Sequence, residues 1–171
     1  MTTTQHATIP SPIGPLLLIA DGEDRLTGVY TDGHKGGPAV PPGAAAATGV
    51  LATAAAQLQE YFAGERLAFE LPTHAAGSPL QERVWDALVG VPYGTTTSYG
   101  RLASELGLPP GAARAVGSAN GRNPLSIVVP CHRVVGAGGA LTGYAGGLGA
   151  KRALLDLEAR TAGCVLRLVG A

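Results

Sequence analysis

Cys131 and His132 are adjacent, and they follow at once on an apolar run, residues 125–129, and Pro130. A free thiol, with a pKa of ~8.5, is mostly protonated at neutral pH, so nucleophilic use needs a nearby base or positive charge. Imidazole is such a base. Successive side chains of an extended strand point to opposite faces, so the pair cooperates only where the chain turns. The other reading is a buried structural thiol beside an unrelated histidine. A metal centre is disfavoured, because adjacent residues rarely chelate one ion and no further Cys/His cluster follows. The chain has 2 cysteines, Cys131 and Cys164, too few for a disulfide framework or a four-ligand zinc site. That scarcity points to a reduced, cytoplasmic setting and makes Cys131 more interesting chemically than structurally. Cys164 reads as a buried structural thiol.

A second chemical feature is Arg114. It stands in the segment 112–120 (AARAVGSAN), whose other side chains are small apart from Val116 and Asn120. A helix surfaced with Ala, Gly and Ser approaches another backbone closely, and a lone arginine on it serves core packing poorly. Just upstream, residues 98–106 read as a short helix capped by Ser98, with Leu102 and Leu106 four apart. Leu108-Pro109-Pro110-Gly111 breaks that helix. Short helix, tight turn, short helix is a helix-turn-helix arrangement. An ordinary helical hairpin in a core has the same spacing.

The elements that must hold these groups follow from pattern. Residues 80–89 place Leu80, Val84 and Leu88 on one helical stripe beside Trp85. Residues 125–129 read as a buried strand leading into Cys131. Residues 136–149 contain seven glycines, with Tyr144 among them. Residues 151–160 read as a helix with Leu154, Leu155 and Leu157 inward, and residues 164–169 as a terminal apolar strand. Towards the N-terminus, residues 13–20 and 26–31 flank Asp21-Gly22 and read as a hairpin. Residues 33–43 read as a Gly/Pro loop, 44–62 as an Ala-rich helix with Leu51, Ala55, Leu58 and Phe62 in line, and 67–71 as a further strand. The segment 71–79 (LPTHAAGSP) marks a boundary between two domains, 1–76 and 77–171.

Composition narrows the classes. The chain has 171 residues and a formal net charge of zero, with 12 basic and 12 acidic side chains. Their distribution is uneven: residues 1–79 hold 3 basic and 7 acidic groups, residues 80–171 hold 9 and 5. That asymmetry accords with a polyanionic partner for the second part, or with chance scatter of few charges. No apolar run reaches the ~18 residues of a membrane span, and the N-terminus lacks the pattern of a signal peptide.

The residues Arg114-Ala115-Val116-Gly117, Asn120-Gly121-Arg122-Asn123-Pro124 and Ile127-Val128-Val129-Pro130-Cys131-His132-Arg133-Val134 together resemble the O6-alkylguanine-DNA alkyltransferase family (methylated-DNA–protein-cysteine methyltransferases). The resemblance continues through Leu141–Leu148 and Leu154–Glu158, and upstream through Val84-Trp85, Val91–Gly94 and Thr97–Tyr99. It is dense over residues 80–160 and looser before them, at 13–17 and 60–64.

The resemblance implies an α/β N-terminal domain, a ribonuclease H-like sheet plus helix, followed by a mostly helical C-terminal domain with a helix-turn-helix. It implies a DNA repair protein that flips out O6-alkylguanine, with O4-alkylthymine as an alternative substrate, and transfers the alkyl group irreversibly to its own cysteine. Cys131 would be the acceptor. His132, through a water and backed by Glu158, would be the base, with Asn123 in that network. Tyr99 would stabilise the leaving guanine and help rotate the nucleotide. Arg114 would fill the gap in the base stack, and Ala112, Ala113, Gly117 and Tyr99 would meet DNA. Val134, Tyr144, Ala145 and Gly146 would line the substrate pocket. No metal and no cofactor is implied. The expected partner is double-stranded DNA through the minor groove, the expected state a cytoplasmic monomer without membrane attachment.

Base chemistry inside a duplex requires the base to leave the stack, and a planar cation is a suitable plug. Minor-groove readout is degenerate, which suits repair in any sequence. Two departures stand out: Leu80 where the family usually has Phe, and a turn at residues 108–111 that is one residue longer. Competing readings are a non-catalytic lesion binder, disfavoured by the presence of Cys131, and a cysteine hydrolase using Cys131, His132 and Glu158, which leaves Arg114 unexplained.

Overall fold

The computed structural model describes residues 4–39 and 46–169, the last six by backbone alone. The chain forms two compact units, Met1–Ala76 with Pro124–Val128, and Gly77–Asn123 with Val129–Ala171.

In the first unit, β1 (Gln5–Ile9), β2 (Leu16–Ala20) and β3 (Leu26–Thr31) form an antiparallel sheet in that order. The β2–β3 hairpin is the one read from the apolar runs, and β1 adds an edge strand, pairing Ile9 with Leu16 and Gln5 with Ala20. Asp21 Oδ1 accepts from the backbone of Glu23 and Arg25 and closes the hairpin turn. Helix α1 (Gly49–Phe62) covers the sheet with Val50, Leu51, Ala54, Leu58 and Tyr61. Its own N-cap, Thr48, makes no side-chain bond. Asp24 accepts from Val50 N at 2.9 Å instead and satisfies one of the free donors of the first turn. The 33–43 loop and the start of the 44–62 helix lie partly outside the described residues.

The strand expected over 67–71 does not form. The Gln57 amide takes the place of a neighbouring strand, donating to Glu70 O at 3.0 Å and accepting from Glu70 N at 2.9 Å. A single strand-like bridge forms later, between Thr73 and Leu26. The strand expected over 125–129 is also broken. Leu125 bridges Val29, but Ile127 has φ +72°, a left-handed conformation costly for a β-branched residue, and the chain turns there.

The second unit is mostly helical: α2 (Pro79–Val89), α3 (Tyr99–Glu105), α4 (Ala113–Gly121) and α5 (Leu148–Val169). A capping box between Ser78 and Gln81, with Pro79 next in the chain, starts α2. Ser98 caps α3 through Arg101 N, and the Arg83 side chain donates to Leu106 O, an acceptor left open at the helix end. Trp85 Nε1 donates to Ala119 O at 2.9 Å and joins α2 to α4. Two-residue strands β4 (Thr97–Ser98) and β5 (Val134–Val135) pair in parallel.

The expected terminal strand over 164–169 is instead the end of α5. A short apolar run is ambiguous between strand and helix, and no proline stands between Arg160 and Val169 to stop the helix. The side chain of Cys164 lies outside the described residues. Among the described residues no helix is long and apolar enough to cross a membrane.

Candidate active site

The turn that the Cys131–His132 pair requires is present. Cys131–Arg133 form one turn of 3₁₀ helix, opened by Cys131 N bonding to Val129 O and closed by Arg133 N bonding to Pro130 O. All three side chains are buried, and they leave the turn towards different partners.

His132 is fully buried, and its Nε2 lies 2.7 Å from Glu158 Oε1. Glu158, itself 1% exposed, has its carboxyl pKa lowered to about 2: burial opposes ionisation, but the bonds from His132 and Arg133 outweigh it. It is therefore an ionised acceptor, and His132 must carry its proton on Nε2. Burial holds the imidazole pKa below its ordinary value, so the ring is neutral at neutral pH. The neutral ring then has its lone pair on Nδ1, an atom with no hydrogen-bond partner among the described residues. A buried base is thus set in one tautomer.

Arg133 completes the cluster. Its Nε and Nη2 bond the two oxygens of Glu158, each at 2.9 Å, and Nη1 donates to Val91 O at 2.6 Å. Gly94 N also donates to Glu158, at 3.1 Å. Gly94 has φ +74°, and a Cβ there would stand 2.7 Å from that of Ala162, so only glycine fits.

The Cys131 thiol is 4% exposed, and burial pushes its pKa up. Hydrogen bonds from the Asn123 and Tyr144 side chains, the charge of Lys151 and a backbone bond pull the other way. Asn123 Nδ2 also donates to Val129 O at 2.9 Å, and Asn120 Nδ2 donates to Cys131 O at 3.3 Å. The end of α4 and the residues just after it therefore hold the turn that carries Cys131.

Tyr99 opens α3, with its hydroxyl donating to Thr142 O at 3.3 Å and its ring against Gly117 of α4. Burial raises its hydroxyl pKa, opposed by the bond to Thr142. Val134 is buried in β5, whereas Tyr144, Ala145 and Gly146 are half-buried in the loop before α5. Arg114 is exposed on α4, next to Ala113 and close to the N-cap residue Ala112. Two buried groups thus leave the same turn, the thiol with Asn123 and Tyr144 and the imidazole with Glu158 and Arg133, while Arg114 is exposed on α4. No group of three or more His, Cys, Asp or Glu that could hold a metal converges among the described residues.

Residues 79–160 match the family model of the 6-O-methylguanine DNA methyltransferase DNA binding domain, and residues 5–75 that of its ribonuclease-like domain. A Mycobacterium tuberculosis methylated-DNA–protein-cysteine methyltransferase is 48% identical over 158 residues, covering 90% of this chain and 91% of the relative. The chain belongs to the O6-alkylguanine-DNA alkyltransferase family. A constitutive family member of Bacillus subtilis is 48% identical over 144 residues, covering 82% of this chain and 86% of its own. The crystal structure of the M. tuberculosis protein in complex with DNA superposes with a TM-score of 0.82 at 48% identity, covering 91% of this chain and 93% of that one.

Sequence reasoning left several members of this alkyltransferase site without a role. Arg133 is one of them, the ion-pair partner of Glu158. Lys151, Leu154 and Glu158 share one helical stripe, and all three are buried. That spacing was visible, but charged residues on a stripe ordinarily mark a solvated face. Asn120 and Gly94 carried no signal of their own.

Proposed function

We propose that this chain repairs alkylated DNA by moving the alkyl group from O6 of guanine to Cys131, once per molecule. The observation that carries the reading is the buried thiol in a 3₁₀ turn beside His132, whose Nε2 is anchored on the ionised Glu158. In this reading Nδ1 of His132 receives the thiol proton, directly or through a water. The thiolate attacks the alkyl carbon in line; the S–C bond forms as the C–O6 bond breaks, and the electron pair stays on guanine. The guanine takes a proton from the Tyr99 hydroxyl, and the proton held by His132 restores Tyr99. The net exchange is one thiol proton for one alkyl group. Asn123 and Tyr144 steady the sulfur, and Val134, Tyr144, Ala145 and Gly146 line the pocket.

An alkyl group on a stacked base is out of line for this attack, so the nucleotide is flipped out. Helices α3 and α4 act as a helix-turn-helix lying in the minor groove. Ala112, Ala113 and Gly117 allow close approach, and the exposed Arg114 enters the stack in place of the base. O4-alkylthymine presents the same carbon–oxygen bond and is a second substrate of the same pocket. The protein works in the cytoplasm as a monomer, without metal or cofactor. The domains are those read from the sequence, 1–76 as support and 77–171 as the DNA-binding and acceptor domain.

The test is stoichiometry. Excess duplex carrying radiolabelled O6-methylguanine should transfer label to Cys131 and stop near one equivalent per protein. Cys131→Ser should bind DNA without transfer. Continued turnover would favour a cysteine hydrolase, and binding without transfer a lesion binder; either refutes the proposal.

A further inference from the structure

Lys151 is fully buried, and no carboxylate partners it among the described residues. Its Nζ donates to Val134 O at 2.5 Å, to Thr142 O at 3.1 Å and to Gly143 O at 3.5 Å. Three carbonyl oxygens around one nitrogen call for three donors, which only the ammonium form supplies. The same nitrogen lies 5.9 Å from the centre of the Tyr99 ring, a second feature that favours the cation. An uncompensated buried charge is costly, so a residue that performs no task there would ordinarily be replaced by an apolar one.

The charges around it define the task. Burial lowers the Lys151 pKa while the charge of Cys131 raises it, and Lys151 acts in turn on Cys131 and His132 of the 3₁₀ turn. The other titratable groups of these elements are Arg133, Glu158 of α5, Tyr99 of α3 and Tyr144 of the preceding loop. Arg133 and Glu158 neutralise each other in a paired contact, and His132 is neutral. Burial raises the Tyr99 hydroxyl pKa and keeps that group neutral. Lys151 is thus the one cation of this group whose charge is not already answered, and Cys131 is the one member that becomes an anion during the reaction.

We propose that Lys151 is a positioning residue for alkyl transfer, its clamped ammonium serving as the standing counter-charge of the Cys131 thiolate. The three carbonyls fix where that charge sits. They also tie β5 to the loop that carries Tyr144, so charge and pocket wall are held by the same nitrogen. The inference rests on Cys131 being the alkyl acceptor. During transfer the thiolate charge passes to the departing guanine, the S–C bond replaces the C–O6 bond, and the ammonium keeps its proton throughout.

The test reads the thiol directly, without DNA. Thiolate absorbance near 240 nm is followed as pH rises, in a Cys164→Ser background, and the signal of the matching Cys131→Ser protein is subtracted. Lys151→Gln removes the charge but keeps an N–H donor for the carbonyls; Lys151→Arg keeps the charge. Thiolate should appear at distinctly higher pH in Lys151→Gln and near the unsubstituted pH in Lys151→Arg. Single-turnover methyl transfer by Lys151→Gln should be slower by on the order of tenfold at neutral pH and should recover part of the loss as pH rises. A thiolate onset unmoved in Lys151→Gln, or moved equally in both variants of unchanged circular dichroism, overturns the proposal. Should unsubstituted protein fail to alkylate Cys131, the acceptor reading falls instead, and the titration reports on Lys151 separately.

Discussion

Glu158→Gln is the substitution from which the buried cluster predicts most. The two oxygens of Glu158 accept four donors: His132 Nε2 and Arg133 Nη2 on Oε1, Arg133 Nε and Gly94 N on Oε2. An amide of the same shape replaces one oxygen with a donor. Whichever way it is turned, two N–H groups then face an NH2, and the Arg133 guanidinium is left buried without its counter-ion. Breaking a buried pair by removing one partner costs about 3–5 kcal/mol. In a chain of 171 residues each kcal/mol lowers the melting temperature by about 2–4 °C, so a fall of about 10 °C is expected. His132 loses the partner that fixes its tautomer and supports its basicity, so methyl transfer slows as well. The assay is thermal unfolding by circular dichroism, alongside single-turnover transfer from a duplex. The control is the double variant Glu158→Gln with Arg133→Met, which removes both charges and should recover at least half of the lost stability. A single variant that melts within about 2 °C of the parent, or a double variant no better than the single, would refute the reasoning about the buried charge.

Three further outcomes are expected. Arg114→Ala, on an exposed position of α4, should leave the melting temperature unchanged and slow repair of duplex DNA about tenfold more than reaction with the free modified base; equal slowing would remove its role in the stack. Acid should destabilise the fold in two windows. The lowered His132 pKa gives stability that is present above about 6.5 and is lost as pH falls through its folded value, and the Glu158 carboxyl gives about 3 kcal/mol that is present above about 4.5 and is lost as pH falls through about 2. Urea midpoints from pH 7 to pH 3 check the order, and a flat profile would contradict it. Gly94→Ala should cost about 1–3 kcal/mol through its positive φ and the clash with Ala162; adding Ala162→Gly should return only part, because the backbone strain stays.

That His132 and Glu158 meet was legible in the sequence because a dense run of motifs carries both residues. The β2–β3 hairpin, α2 and α3 were legible because apolar spacing, Asp21-Gly22 and the serine caps act locally. What escaped was decided at a distance. The 67–71 strand failed because a side chain, Gln57, satisfies Glu70 in place of a backbone neighbour. The 125–129 strand failed because Ile127 takes a left-handed conformation that no local rule assigns to isoleucine. The 164–169 strand failed because period alone does not separate a short strand from a continuing helix. Lys151 and Arg133 count towards the positive balance of residues 80–171, yet both are buried, so that balance overstates the charge available to a phosphate backbone.

Helix α5 sets the distance between its two buried charged side chains, Lys151 and Glu158. Lys151 and Glu158 are seven residues apart, two turns short by ~20°, separated by a rise of about 10.5 Å along one face. Losing or gaining one residue between them would swing one group by ~100° and shift it 1.5 Å along the axis, taking it out of the cluster with no change in composition. The turn at Gly138 and Gly139, earlier in the chain, has no such constraint, since both glycines are open to space. This stretch of helix therefore works as a fixed ruler, and insertions or deletions should be excluded between Lys151 and Glu158 but tolerated at the open turn of Gly138 and Gly139.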